Sequence, residues 1–102
     1  MTTVHKFKIA PKVKMPTGAV ILKVAYDFNE GCACIWALVD TSQPMETRHF
    51  AMAKTGEEMA PAIADCPHLD TLVAAIPDGK GGVKTIVTHV WEVPNYLVKK
   101  KT

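Results

Sequence analysis

The sequence has little of what usually announces an activity. It carries no paired carboxylates at a catalytic spacing, no Ser-His-Asp arrangement and no histidine-rich cluster, so neither carboxylate acid–base work nor triad chemistry is indicated. It has no Cys-x-x-Cys pair of the kind thioredoxin-type exchange requires. Lys54-Thr55-Gly56 and Gly79-Lys80-Gly81-Gly82 resemble fragments of phosphate loops. Neither has the Walker spacing or a following helix, and the second needs no explanation beyond a turn, although its unhindered amides could cup an anion. An excess of one charge is missing too. Twelve Lys and Arg stand against ten Asp and Glu, a net +2, too even for the concentrated basic surface that direct DNA binding needs.

Long apolar runs are also missing, and none of those present could cross a bilayer as a helix. The opening residues lack the apolar stretch of a secretory leader. Cysteine is scarce and odd in number: Cys32, Cys34 and Cys66. The expectation is a soluble protein with free thiols in a reducing cytoplasm. Internal repeats and low-complexity segments are lacking, so a solenoid or a disordered chain is not indicated.

What is present is the material of one domain. The 102 residues are 48% hydrophobic and 22% charged, enough for a core without metal or disulfide staples. The expected division is a single β domain over 1–98 and a basic tail over 99–102, which contains Lys99, Lys100 and Lys101.

Period-2 alternation predicts the elements. Val4 to Ile9 reads as a strand, with Val4, Lys6 and Lys8 opposite His5, Phe7 and Ile9. Pro11 and Pro16 bracket what reads as an extended connector. From Ala19 to Phe28, Val20, Leu22, Val24, Tyr26 and Phe28 fall on one face, and Asn29-Glu30-Gly31 makes a hairpin turn. Cys32 to Val39 is apolar on both faces, so its second face is expected to meet another sheet or another subunit. Glu46 to Ala53 alternates again, and 57–67 reads as a loop with room for a short helix. Leu69 to Ile76 and Val83 to Val93 form a hairpin around Asp78 to Gly82, and Pro94 ends it. The expected fold is mainly β, a small antiparallel sandwich or partly open barrel of about six strands.

Cys32-Ala33-Cys34 places two thiols on one strand face, about 7 Å apart. Zinc needs four ligands and no second close pair exists, so small packing residues are expected and no metal or cofactor is implied. Cys66-Pro67-His68 offers a thiol and an imidazole but no orienting third group. The candidate ligand-binding residues are Trp36, Arg48, His49, Lys54, Lys80, His89 and Trp91, with Phe50 beside them. The tryptophans could stack on a base, while Arg48 with Lys54 or Lys80 could take a phosphate. The other reading makes the tryptophans core anchors and the histidines surface residues.

Several segments carry a likeness: Val4-His5-Lys6-Phe7, Met15-Pro16-Thr17-Gly18-Ala19 with Ile21-Leu22-Lys23-Val24, and Trp36-Ala37-Leu38-Val39-Asp40. Arg48-His49-Phe50, Thr55-Gly56, His68-Leu69 and Thr88-His89-Val90-Trp91-Glu92 continue it. With these the chain resembles a family of small uncharacterised proteins encoded by bacteriophages and prophages. The resemblance implies a compact phage-type domain with no assigned activity. The expectation drawn from it is a non-enzymatic accessory protein in the cytoplasm of an infected bacterial host. It would act in counter-defence, as a homo-oligomer that sequesters a small anionic nucleotide signal or blocks a host defence protein. The alternative is a structural or minor virion-associated component.

Overall fold

A computed structural model describes residues 1–98 and shows seven strands: β1 (Thr2–Lys8), β2 (Lys12–Pro16), β3 (Val20–Asp27), β4 (Cys32–Asp40), β5 (Met45–Lys54), β6 (His68–Pro77) and β7 (Val83–Val93). A 3-10 helix covers Pro61–Asp65, and a short helix, α1, covers Asn95–Val98. The expected basic tail, 99–102, lies outside the described residues. All pairings are antiparallel and make two sheets, β1-β4-β3 and β2-β5-β7-β6. This is the mainly β sandwich expected from the alternation, with one strand more than the sequence predicts.

The additional strand is β2, inside the expected connector. Its two prolines do no harm, because β2 is an edge strand and Pro16 is its last residue. Val13 and Met15 are buried while Lys12 and Lys14 are exposed, a half-buried strand's pattern. Pro11 marks where the chain changes sheets. The Ile9 amide donates to the Ala33 carbonyl in the first sheet (3.0 Å), and the Phe50 amide donates to the Pro11 carbonyl in the second (3.0 Å).

A second departure concerns β3. The register shifts between Ile21 and Lys23, leaving Leu22 as a bulge. The bulge flips the alternation, so Val20 and Leu22 face out at 55% and 54% exposure while Ile21 and Val24 face the core. A single face shared by Val20, Leu22 and Val24 is therefore corrected. No composition signal marks the bulge.

The core lies between the sheets. Phe7, Ile21, Val24, Ile35, Ala37 and Val39 from the first meet Val13, Met15, Phe50, Leu72 and Val90 from the second. Each large apolar side chain removed from water there contributes about 1.5–3 kcal/mol. Ala33 and Ala37, opposite the larger outward residues of β4, give the facing sheet room to approach.

One end of the sandwich is tied by Arg48. Its Nε and Nη2 donate to the two carboxylate oxygens of Glu92 (2.6 and 2.7 Å), and Nη1 donates to the Ala19 carbonyl at the entry to β3 (2.6 Å). The Glu92 carboxylate holds the guanidinium's pKa above its ordinary value despite partial burial. Along one side, the edge strands β3 and β6 run close, and Lys23 reaches Asp70 (3.2 Å). Burial pushes the Asp70 carboxyl up, but Lys23 and the Thr71 and Val24 amides outweigh it and bring it below its usual range.

At the far end of β4, Asp40 accepts from the Ser42 hydroxyl (2.7 Å) and amide (3.0 Å), with the N-terminal amine nearby (3.5 Å). These donors lower its pKa from 3.8 to about 2.

Two predictions follow from these contacts. Arg48→Ala leaves the Glu92 carboxylate half-buried without its partner, and should cost about 2–3 kcal/mol in urea unfolding. Removing Glu92 as well should restore part of that loss. A carboxyl depressed in the fold stabilises it fully above its ordinary pKa and loses that effect as pH falls towards the folded value. The Asp40 contribution should therefore vanish between about pH 4 and pH 2, and acid titrations of Asp40→Asn should lack that component.

Candidate functional site

The β6–β7 hairpin outruns the sheet that covers it. β7 has eleven residues, a span of about 37 Å, while the facing sheet ends at Lys8, Asp27 and Cys32. The molecule measures 48 × 34 × 18 Å, and its radius of gyration is 15.2 Å against about 13 Å for a compact domain of this length. The inner face of the hairpin thus continues past the edge of its cover. Met52, on this inner face beside β7, is 41% exposed.

A cleft of about 370 Å³ opens where the two sheets part company. Ile9, Tyr26 and Ala33 form one wall, and Met52, Leu72, Ala74, Ile76 and Ile86 form the other. Thr88 is a polar group within it, and Lys54 and Glu57 stand at its lip. The ring of Tyr26 is fixed twice. Its hydroxyl donates to the Gly31 carbonyl (3.0 Å), and Phe28 packs edge-on with centroids 4.9 Å apart. Gly31 has φ +73°, so this hairpin turn takes the left-handed conformation that the sequence reading assigned to it.

The lip is a closed turn. The Lys54 amide donates to the Glu57 carboxylate (2.6 Å) and the Glu57 amide donates back to the Lys54 carbonyl (3.0 Å), with Gly56 at φ +91° between them. Among the described residues Lys54 makes no ion pair, so its ammonium can meet a ligand's anionic group. A cleft of this size, mostly apolar with few polar groups at its mouth, is the usual form of a small-molecule seat.

The residues singled out in the sequence do not come together. Trp36 lies on the outward face of the first sheet, between Lys6 and Lys23 in register. Trp91 and His89 lie on the outward face of the second, and His49 is on that sheet beside Lys12 and Val93. The two tryptophans thus occupy opposite outer surfaces. Arg48 faces inward with its nitrogens committed to Glu92 and Ala19. Phe50 is core, and Lys80 is in the exposed hairpin turn, its amide held by Asp78 (2.7 Å). Of the set, only Lys54 borders the cleft.

The histidines of the second sheet are engaged with threonines. His89 Nε2 pairs with the Thr55 hydroxyl (3.0 Å) and Nδ1 with the Thr71 hydroxyl (3.1 Å), which also meets His68 Nε2 (3.1 Å). His68 packs edge-on against Trp91 at 5.5 Å. This network links the ends of β5 and β6 across β7. Cys66 is elsewhere, its thiol donating to the Ala62 carbonyl (3.6 Å).

What sequence reading missed is the cleft wall: Ile9, Tyr26, Leu72, Ala74, Ile76 and Ile86. The signal available was strand length. Ten- and eleven-residue strands in a hairpin, opposed by strands of seven to nine, cannot be covered along their whole inner face.

No helix among the described residues is long and apolar enough to cross a membrane. No curated protein and no solved structure matches the chain. The model of one family, a domain of unknown function designated DUF7352, matches residues 1–99, and the chain belongs to that family.

Proposed function

We propose that the protein is a non-catalytic binding protein that holds a small ligand in the cleft between its sheets. The observation that carries this reading is the 370 Å³ apolar cleft with the unpaired Lys54 at its lip. The ligand class it fits has a flat or apolar body and one anionic group. A nucleotide signal, as the phage-type resemblance suggests, belongs to that class. Its base would lie against Tyr26, in the role first given to Trp36 or Trp91, and its phosphate would meet Lys54 in place of Arg48. Sequestering such a signal is the counter-defence reading, and it needs no catalytic group.

A homo-oligomer is a second part of the reading, favoured by a separate observation. Val4, Leu38 and Val20 are register neighbours across the outward face of the first sheet, and they are 49%, 39% and 55% exposed. A second copy is the proposed occupant. The row next to this one on the strands holds Lys6 and Lys23, and the row on its other side holds Asp40. A two-fold axis along the apolar row sets the acidic row of one copy over the basic row of the other.

The cleft is tested by thermal shift against cyclic dinucleotides, cyclic oligoadenylates, ADP-ribose derivatives and simple acyl carboxylates. A ligand at one hundred times its Kd adds about 2.7 kcal/mol, which for a domain of this size raises Tm by about 10 °C. Ile86→Trp, which fills the cleft, and Lys54→Glu should each remove that shift. A panel without any shift, or a shift indifferent to both substitutions, ends the cleft reading. The copy-to-copy contact is tested by sedimentation at tens of micromolar. Leu38→Asp should convert a dimer to a monomer, and a monomeric parent protein would defeat this part alone.

A further inference from the structure

The outward face of β4 carries a thiol pair, of which Cys32 borders the cleft and Cys34 does not. Cys32 and Cys34 sit two residues apart on one face, which sets their Cβ atoms about 6–7 Å apart. A disulfide needs Cβ atoms about 3.5–4.5 Å apart, so the strand backbone holds these thiols too far apart to bridge each other. Two sulfurs on opposite sides of one metal ion are separated differently. With metal–thiolate bonds of about 2.3 Å, a linear pair spans about 4.6 Å. Neighbouring outward thiols that lean together reach that distance without moving the strand.

The surroundings of the pair are built. Lys6 on β1 and Asp27 on β3 join above β4 through a 2.8 Å contact. Lys6 is level with Trp36 and Asp27 is level with Cys32, so the line between them crosses β4 at Cys34. That roof explains why Cys34, on an outward face, has no solvent exposure. Cys32 is only partly covered and borders the open end of the sandwich, which provides an entry. Burial first, and the neighbouring Cys32 next, push the Cys34 thiol up, which favours its protonated form.

Four-coordinate ions find too few ligands there, because the one carboxylate above the pair, Asp27, is held by Lys6. Among the described residues no group of three or more His, Cys, Asp or Glu could hold a metal. Soft thiolates select soft cations, and two-coordinate binding is the habit of the monovalent ones. We propose that Cys32 and Cys34 form a two-coordinate site for a soft monovalent cation of the copper(I) or silver(I) kind. Each cation displaces two thiol protons and forms two metal–sulfur bonds with no change of oxidation state. The loaded site carries one net negative charge; the Lys6 ammonium above it, already paired with Asp27, offsets that charge only in part. Cys32 also borders the cleft, but no group assigned to the cleft's ligand binds the cation.

The experiment uses the full chain with Cys66→Ala, titrated anaerobically with silver(I). It reads the protons released and the ultraviolet thiolate-to-metal absorption. One silver per chain with two protons released is the expected result. In the same background, Cys34→Ser should release one proton and bind at least 100-fold more weakly, with Cys34→Ala as a second variant should the serine perturb the strand. Lys6→Met should weaken binding about tenfold by removing that partial offset, with a thermal melt confirming that it is folded. A single proton released by the Cys66→Ala chain, or silver affinity unchanged in a folded Cys34 variant, overturns the proposal.

Discussion

The guanidinium of Arg48 braces its own sheet and reaches across to the other. Its fork closes on Glu92 of β7, and its third nitrogen meets the Ala19 carbonyl, where the chain has just left β2 for the opposite sheet. A hydrophobic core is non-directional; it holds two sheets together without dictating where along their length they are anchored. The bond from Nη1 to the Ala19 carbonyl supplies that anchor at one end of the sandwich, and the Glu92 fork holds the guanidinium in place for it. Among the described residues the other end has no equivalent tie, and there the sheets separate into the cleft.

The open end follows from unequal strand lengths. The β6–β7 hairpin continues past Lys8, Asp27 and Cys32, the limits of its cover, so Ile76 and Ile86, with Met52 beside them, are only partly covered. An apolar shelf of this kind has a cost in water, which makes it informative. The same ending of the first sheet leaves Cys32 accessible while the Lys6–Asp27 roof seals Cys34. One structural fact, where the smaller sheet stops, thus sets both the cleft and the entry to the thiol pair.

Much of the fold was legible because strand alternation is a local property. The outward and inward sets of β1, β5 and β7 stand as their residue spacing suggests, and Val83 to Val93 is a strand over its whole expected length. β2 was present in the text as Lys12-Val13-Lys14-Met15, hidden by prolines that an edge strand tolerates. The bulge at Leu22 was not legible, since it depends on how β3 seats against β4. The candidate site was legible only in Lys54. Attention fell on Trp36, Trp91 and Arg48 for their chemistry, whereas the cleft is made of ordinary aliphatic side chains.

The sequence by itself determined the class of the protein: a small, mainly β fold with antiparallel hairpins and free thiols. Those properties come from composition, turn residues and period-2 patterning, which are set by neighbours in the chain. Tertiary structure alone decided which residues share a site. It sent the two tryptophans to opposite faces, turned Arg48 inward and brought Ile9 and Tyr26 opposite Ala74 and Ile86. The physical reason is that a sheet face is assembled from strands distant in sequence. A contact across the sandwich therefore depends on strand order, register and length mismatch, which no local window of residues contains.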